Sequence, residues 1–259
     1  MNDICIFGCG PAGLLSAYAA EMLGGNVTIV SHKQRSKIPG AVFLHERIPG
    51  ISPSLPDATI TFVKRGTKRG YAKKVYGNED ADCSWDLFPE GRRPAWSMFA
   101  LYDKLWRRFE RRIRHETISH EVIESVLMTR FDRVISTIPA PFLCYNDSHK
   151  FPSQKIHILN KSVDDSINNG MVYNGDPRYP WYRTSRLFGS EATEATKPFP
   201  PGFLAELGVT SKTGYKPLKT DCDCYMGEVV RVGRFGRWEK GVLVHHAYKQ
   251  TVELMDEFA

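Results

Sequence analysis

The sequence predicts an α/β protein in which both chain ends build one domain and a smaller β-rich (α+β) domain is inserted between them. Three observations carry this. The first thirty or so residues read as strand, glycine turn, helix and strand. The last thirty or so read as a strand followed by a helix. The stretches between are cut by Pro, Gly and Asn into short β-like runs. The expected boundaries are 1–57, 95–144 and 225–259 for the first domain, and 58–94 and 145–224 for the insert.

Composition fits this size of core. The 259 residues are 42% hydrophobic, 12% aromatic and 25% charged, which excludes a disordered tail, a collagen-like repeat and a coiled coil. No apolar run reaches bilayer length, and the N-terminus lacks the residue order of a signal peptide, so the expectation is a cytoplasmic protein with no membrane contact. Cys5 and Cys9 fall within a predicted buried strand and turn, as free thiols of a reducing compartment do. Cys222 and Cys224 form a CxC pair. Such a pair binds metal or forms a redox couple when a second pair accompanies it; none follows, so they are read as two thiols in a loop.

Taken in order, Ile4 to Phe7 is a short buried strand. Gly8-Cys9-Gly10-Pro11-Ala12-Gly13 follows it directly. Leu14, Leu15, Tyr18, Ala19 and Met22 then carry a helical pattern that ends at Gly24-Gly25, and Val27 to Val30 is a second strand. In this context GxGxxG is a dinucleotide fingerprint rather than a plain structural turn. Gly8 allows the tight turn, Gly10 lets the backbone approach a pyrophosphate, and Gly13 lets the helix pack on the strand. Pro11 and Ala12 open the helix whose N–H groups face the phosphates. The acidic residue that usually ends the second strand is replaced by Ser31, followed by His32 and Lys33. A serine still bonds a ribose hydroxyl, and Lys33 with Arg35 suits a 2′-phosphate, so NADP stays open on these residues alone.

Residues 58–64 alternate as a strand and pair with 71–76 in a predicted hairpin. Residues 78–94 read as loop, and a helix is expected over 94–115. Met98, Leu101, Leu105, Phe109 and Ile113 form its apolar stripe. Lys104, Arg107, Arg108, Arg111, Arg112 and Arg114 make its outer face basic, which is either a solvated surface or a nucleic-acid contact. With a net charge of +6 the chain leans toward acidic partners. Phe131 to Thr137 is a buried strand stopped by Ile138-Pro139-Ala140-Pro141. Short strands follow over 145–224, then a strand at Val229 to Val232 and a helix over 241–258.

Three blocks in this order are informative together: Gly8 to Gly13, Val134 to Ala140, and Val232 to Trp238. They resemble the FAD-binding superfamily of the glutathione-reductase type, nearest to the branch of UDP-galactopyranose mutase and the amine oxidases. The resemblance covers about half the chain and implies FAD as cofactor, with a Rossmann-like FAD-binding domain and an inserted substrate domain. Ser31, His32 and Lys33 would lie at the ribose, Gly40 and Ala41 in a reduced second glycine motif, and Thr137 and Pro139 near the adenosine half. Gly233, Arg234, Trp238, Val242 and Leu243 would close over the flavin, with the last helix starting at about Gly241 to Leu243. The chain departs from the pattern at Ser31, in its short length, and in lacking a match to the tyrosines that hold UDP-galactose in the mutases.

No Ser-His-Asp order, HExxH motif or Walker loop is present. The resemblance points instead to Pro180 to Arg186, similar to a Tyr-Thr-Arg strand beside the flavin in the mutases; Arg183 or Arg186 is expected to hold a carboxylate or phosphate, with Arg183 the leading candidate. His45 follows the segment expected to pass the flavin and is the expected proton carrier. His245-His246 is read as a cap rather than a metal pair, and no metal ligand set is expected. The implied activity is an FAD-dependent oxidoreductase that accepts hydride from a C–N bond. Its substrate would be a small-molecule amine or one attached to nucleic acid, since compact flavoproteins of this kind occur among bacteriophage enzymes that tailor DNA bases. The alternatives are a mutase-like flavin isomerase and a non-catalytic nucleotide- or nucleic-acid-binding flavoprotein.

Overall fold

The computed structural model describes residues 2–35, 41–83, 85–86, 89–129 and 131–257. Its elements in chain order are β1 (Asp3–Phe7), α1 (Pro11–Met22), β2 (Asn26–Val30), β3 (Phe43–Leu44), β4 (Ala58–Arg65), α2 (Lys68–Tyr76), β5 (Gly91–Ser97) and α3 (Met98–Phe109). They continue with β6 (Ile113–Arg114), α4 (His120–Met128), β7 (Arg133–Ser136), β8 (Ser153–Leu159), β9 (Gly170–Asn174), β10 (Arg183–Leu187) and β11 (Ser190–Ala195). The last are α5 (Pro201–Leu207), β12 (Ser211–Pro217), β13 (Val229–Arg231), α6 (Gly233–Arg237) and α7 (His246–Asp256). They divide into two compact units: Met1–Ser52 with Ser97–Pro152 and Pro217–Ala259, and Pro53–Trp96 with Ser153–Lys216.

The first unit is a five-stranded sheet in the order β13-β7-β1-β2-β6. Each paired neighbour is parallel, so β1 sits near the centre with both edges filled. A parallel sheet must be covered on both faces, and its strands accordingly carry buried apolar side chains on both. Cys5, Phe7, Val30, Val134 and Val229 pack with Ile123 and Val126 of α4 on one face. Ile4, Ile6 and Ile29, on the alternate positions, are also fully buried. Helices α1, α3 and α7 pack together, with contacts from α1 to both others. The α3 stripe of Met98, Leu101, Leu105 and Phe109 is buried, as its spacing predicts.

The second unit carries strands in the order β12-β8-β11-β10-β9-β4-β5. Neighbours are antiparallel at β8–β11, β11–β10, β10–β9 and β4–β5, whereas β4 and β9 run parallel. Its core gathers Leu159, Val172, Trp181, Ala195 and Phe199, with Phe203, Leu204 and Leu207 from α5 packed against it.

Four expectations need correction. Residues 71–76 are not the second arm of a hairpin but part of α2. Thr67 caps that helix by accepting from Gly70 N at 3.0 Å, and Gly77 ends it in the left-handed conformation. A Cβ on Gly70 would stand 2.0 Å from the Gly175 carbonyl oxygen, so glycine is what lets α2 begin against the end of β9. The partner of β4 is instead β5, which spans the end of the segment read as loop and the start of the expected helix, so that helix begins at Met98. The basic helix ends at Phe109, and Ile113–Arg114 joins the sheet as β6. The last helix starts at His246, five residues later than expected, and a separate short helix precedes it.

Candidate dinucleotide site

Backbone sterics build this site. Gly8 sits at φ +104°, which L side chains rarely adopt, and a Cβ there would meet Thr137 Oγ1 at 2.8 Å. A Cβ on Gly13 would lie 1.9 Å from the Gly8 carbonyl oxygen and 3.0 Å from Thr137 Oγ1. Helix α1 can approach β1 only because both positions are glycine. Thr137 locks the far side: its N–H and its hydroxyl both donate to the Phe7 carbonyl at 3.0 Å. A Cβ on Gly10, in contrast, meets nothing within 4 Å. That position faces open space at the helix mouth.

The electrostatics agree with the sterics. Helix α1 has Gly10 as its N-cap, Pro11 at its start, no side-chain cap and no acidic residue in its first turn. Its first-turn N–H groups and positive dipole end are therefore available to an anion. The other chain end closes on the same place. A Cβ on Gly233 would come within 3.1 Å of Ala12 Cβ, and one on Gly236 within 2.5 Å of the Ser136 carbonyl oxygen. Gly233 N donates to Gln250 Oε1 of α7 at 2.9 Å. Segments 8–13, 136–137 and 233–236 thus meet around one helix N-terminus.

At the end of β2, Ser31 is buried. Its Oγ accepts from Lys33 N at 3.3 Å and from the Cys9 thiol at 3.2 Å. The hydroxyl keeps its own proton to donate. Burial pushes the Cys9 thiol upward, against the smaller lowering effect of Ser31, so it stays protonated and can donate. His32 and Lys33 are exposed, and Arg35 is paired with Asp103 at 2.5 Å. Gly40 lies outside the described residues; Ala41 is half-buried. Pro139 opens a short turn after Thr137.

Several residues expected at the cofactor or the chemistry hold the protein together instead. The Trp238 indole N–H donates to the Pro152 carbonyl at 2.9 Å, and its buried ring packs edge-on against Phe151. Arg234 Nε donates to the Val242 carbonyl at 2.9 Å, and Leu243 N donates to His246 Nδ1 at 3.2 Å. The 241–243 turn is therefore braced internally rather than forming an open helix end. Arg183 stands directly across from Glu194 in the β10–β11 register and is ion-paired to it. Glu194 also accepts from Tyr182 Oη at 2.5 Å and Lys216 Nζ at 2.6 Å. Burial alone would push the Glu194 carboxyl up, but Arg183 and Lys216 more than offset it and hold it well below the usual carboxylate range. Arg183 is thus a structural cation, and Arg186 is likewise paired with Glu191 and Asp165.

His45 is half-buried, 4.4 Å from the Phe43 ring and 6.0 Å from the His245 ring. His245 is itself buried, and desolvation drops it to about 4, with His246 adding to the effect, so it is neutral at pH 7. The basic stretch 104–114 is partly neutralised: Arg108 of α3 and Arg112 just beyond it both reach Glu21, at 2.5 and 3.0 Å. Lys104 donates to the Ile51 carbonyl. Arg107 and Arg111 are exposed, with no ion pair among the described residues. The sequence reading also missed one gathering of ligand atoms, in which Cys222 and Cys224 are joined by Cys144 and His149. The signal available for it was the short C-x4-H spacing at 144–149 beside the CxC pair.

No protein-family model and no curated protein sequence matches the chain. Solved structures do. Reduced UDP-galactopyranose mutase aligns over 99% of this chain and 95% of its own, with 11% identity and a TM-score of 0.58. Aklavinone-11 hydroxylase in a ternary complex with FAD and aklavinone aligns over 99% of this chain and 62% of its own, at 12% identity and a TM-score of 0.57. A Photorhabdus luminescens subsp. laumondii TTO1 protein, taken to be an FAD-containing monooxygenase, aligns over 99% and 88%, at 11% identity and a TM-score of 0.53. The chain therefore has the mixed α/β, Rossmann-like fold of FAD-binding flavoproteins.

Proposed function

We propose that the first unit binds FAD and that the protein is an FAD-dependent oxidoreductase. The observation that carries this is the pairing of a closed wall at Gly8 and Gly13 with open space at Gly10, on an uncapped helix that Gly233 reaches from the other chain end. The α1 N–H groups would hold the pyrophosphate, and Ser31 would donate its hydroxyl to a ribose oxygen. The bound flavin would supply the hydride-accepting chemistry, while the protein contributes orientation and electrostatics. His45, beside the neutral His245, is the candidate to receive a substrate proton.

We infer an amine as the hydride donor, on the resemblance of the three sequence blocks to the amine-oxidase branch. The exposed Arg107 and Arg111 favour an amine attached to a nucleic acid. A second reading, flavin-dependent isomerisation without net oxidation, is supported by the near-complete mutual alignment with UDP-galactopyranose mutase.

The experiment is a visible spectrum of the purified protein, with the released cofactor identified by mass. Flavin bands and FAD are expected; a colourless protein that takes up no added FAD overturns the reading. Bleaching under anaerobic amine, with peroxide formed on readmitting air, supports the oxidase. Turnover only after prior reduction of the flavin supports the isomerase.

A further inference from the structure

Cys144, His149, Cys222 and Cys224 come from two loops of the first unit, far apart in sequence. Each offers one ligand atom, and the four atoms lie within 4.8 Å of one another. Cys222 and Cys224 are buried, Cys144 and His149 half-buried, and all three cysteines are free. Cys144 Sγ is 3.8 Å from Cys224 Sγ. His149 Nδ1 is 3.4 Å from Cys144 Sγ and 3.5 Å from Cys224 Sγ. A tetrahedral zinc with Zn–S of about 2.3 Å and Zn–N of about 2.05 Å has S···S edges of about 3.8 Å and S···N edges of about 3.6 Å. The three observed separations match those edges. A disulfide would require the sulfurs at about 2.05 Å.

The surroundings are those of a metal–thiolate centre. Arg231 Nη2 donates to Cys222 Sγ at 3.3 Å, and the same guanidinium holds the Cys222 and Cys224 carbonyls, each at 2.8 Å. Three thiolates around a divalent cation leave one net negative charge, which this guanidinium offsets. Asp223 Oδ1 lies 3.6 Å from His149 Nε2. The Asn146 amide nitrogen lies 3.3 Å from the same Nε2, so loop groups hold that side of the ring while Nδ1 faces the Cys144 and Cys224 sulfurs.

We propose that Cys144, His149, Cys222 and Cys224 form a closed, structural Cys3His zinc site. Binding displaces the three thiol protons and takes the His149 Nδ1 lone pair, with no change in oxidation state. All four positions are filled by the protein, so none is open for a reacting water. Its task is to tie the loop after β7 to the loop before β13, the short strand at the edge of the parallel sheet.

The test begins with full-length protein purified under reducing conditions without chelator. Elemental analysis is expected to find one zinc per chain, released on titrating the thiols with a mercurial. Stripped protein given Co²⁺ is expected to show tetrahedral ligand-field bands and a sulfur-to-cobalt charge-transfer band of three-thiolate intensity. Cys222→Ser/Cys224→Ser should lose the metal and most of that band. Should that variant not fold, the wild-type cobalt spectrum still decides. The proposal is overturned if the reduced wild-type chain takes up neither Zn²⁺ nor Co²⁺, if the cobalt spectrum is that of an octahedral oxygen-ligated ion, or if fresh protein carries a disulfide among these cysteines.

Discussion

The glycine cradle of the first unit and the charged cluster of the second solve opposite problems. In the cradle, backbone meets backbone, and specificity comes from side chains that are missing at Gly8 and Gly13. In the cluster, Arg183, Glu194, Lys216 and Tyr182 converge, and stability comes from long polar side chains satisfying one another in a buried place. The first arrangement leaves room for a ligand. The second leaves none of its cations free for one. A row of arginines in a sequence is therefore weaker evidence of an anion site than a row of glycines between a strand and a helix.

The sharpest way to break this contrast is inside the cradle. Gly13→Ala puts a methyl 1.9 Å from a backbone oxygen that cannot move without shifting β1. It should remove a large part of the about 5–15 kcal/mol by which such domains are stable. The measurements are thermal unfolding and soluble yield. Gly10→Ala meets nothing within 4 Å and keeps an ordinary φ of −69°, so it should fold with a nearly unchanged Tm yet retain much less flavin. If Gly10→Ala keeps a full complement of FAD, that open space does not receive the pyrophosphate.

The cluster should respond next. Glu194→Leu removes the one carboxylate that Arg183 and Lys216 share in a largely buried setting, a loss of about 3–5 kcal/mol in chemical denaturation. Glu191→Ala, which removes one of the two carboxylates paired with Arg186 and the more exposed of the two glutamates, should cost no more than about 1 kcal/mol. Equal costs would mean that the Glu194 network is no more than a surface ion pair.

These two regions also show what a sequence reveals. The cradle is contiguous: strand, turn and helix follow within a few residues, so Gly8, Gly10 and Gly13 announce their own geometry. The fold class was legible for the same reason, because apolar β1 and β2 flank that turn. Helix α2 was misread because Tyr71, Val75 and Tyr76 favour strands, while its start and stop rest on the cap at Thr67 and on Gly77. The cross-strand pairing of Arg183 with Glu194, and the meeting of Cys144 with Cys224, depend on register and loop course, which no local pattern encodes. Trp238, placed over the flavin by the resemblance, is buried with its indole N–H donated to the Pro152 carbonyl, a long-range contact that no local pattern announces.

A pH series tests a third buried group without touching the backbone. Burial lowers His245 from 6.5 to about 4, with His45, His246, Glu46 and Lys249 around it. The unfolded chain therefore binds more protons than the folded one between these values. The stabilising contribution is fully present above about 6.5 and is lost as pH falls through about 4. Unfolding free energy of the wild type should decline over that window, and His245→Gln should flatten the decline. An unchanged slope in the variant would assign the acid limb to other groups.

The smallest effect is expected at Ser31, in the turn that follows β2. Its hydroxyl accepts from Lys33 N and from the Cys9 thiol, and both donors lose that partner in Ser31→Ala. The thiol retains the Lys33 carbonyl at 3.4 Å as an alternative acceptor, so Tm should shift little. If Ser31 also donates to a ribose oxygen, FAD affinity should fall by the worth of one neutral hydrogen bond, about 1 kcal/mol or several-fold in Kd. Equilibrium titration of stripped protein with FAD measures it. An unchanged Kd would make Ser31 solely a brace of the β2 turn and place the ribose contact on another group. Complete loss of binding would mean that the turn itself, through Cys9 and Lys33, is what shapes the cradle.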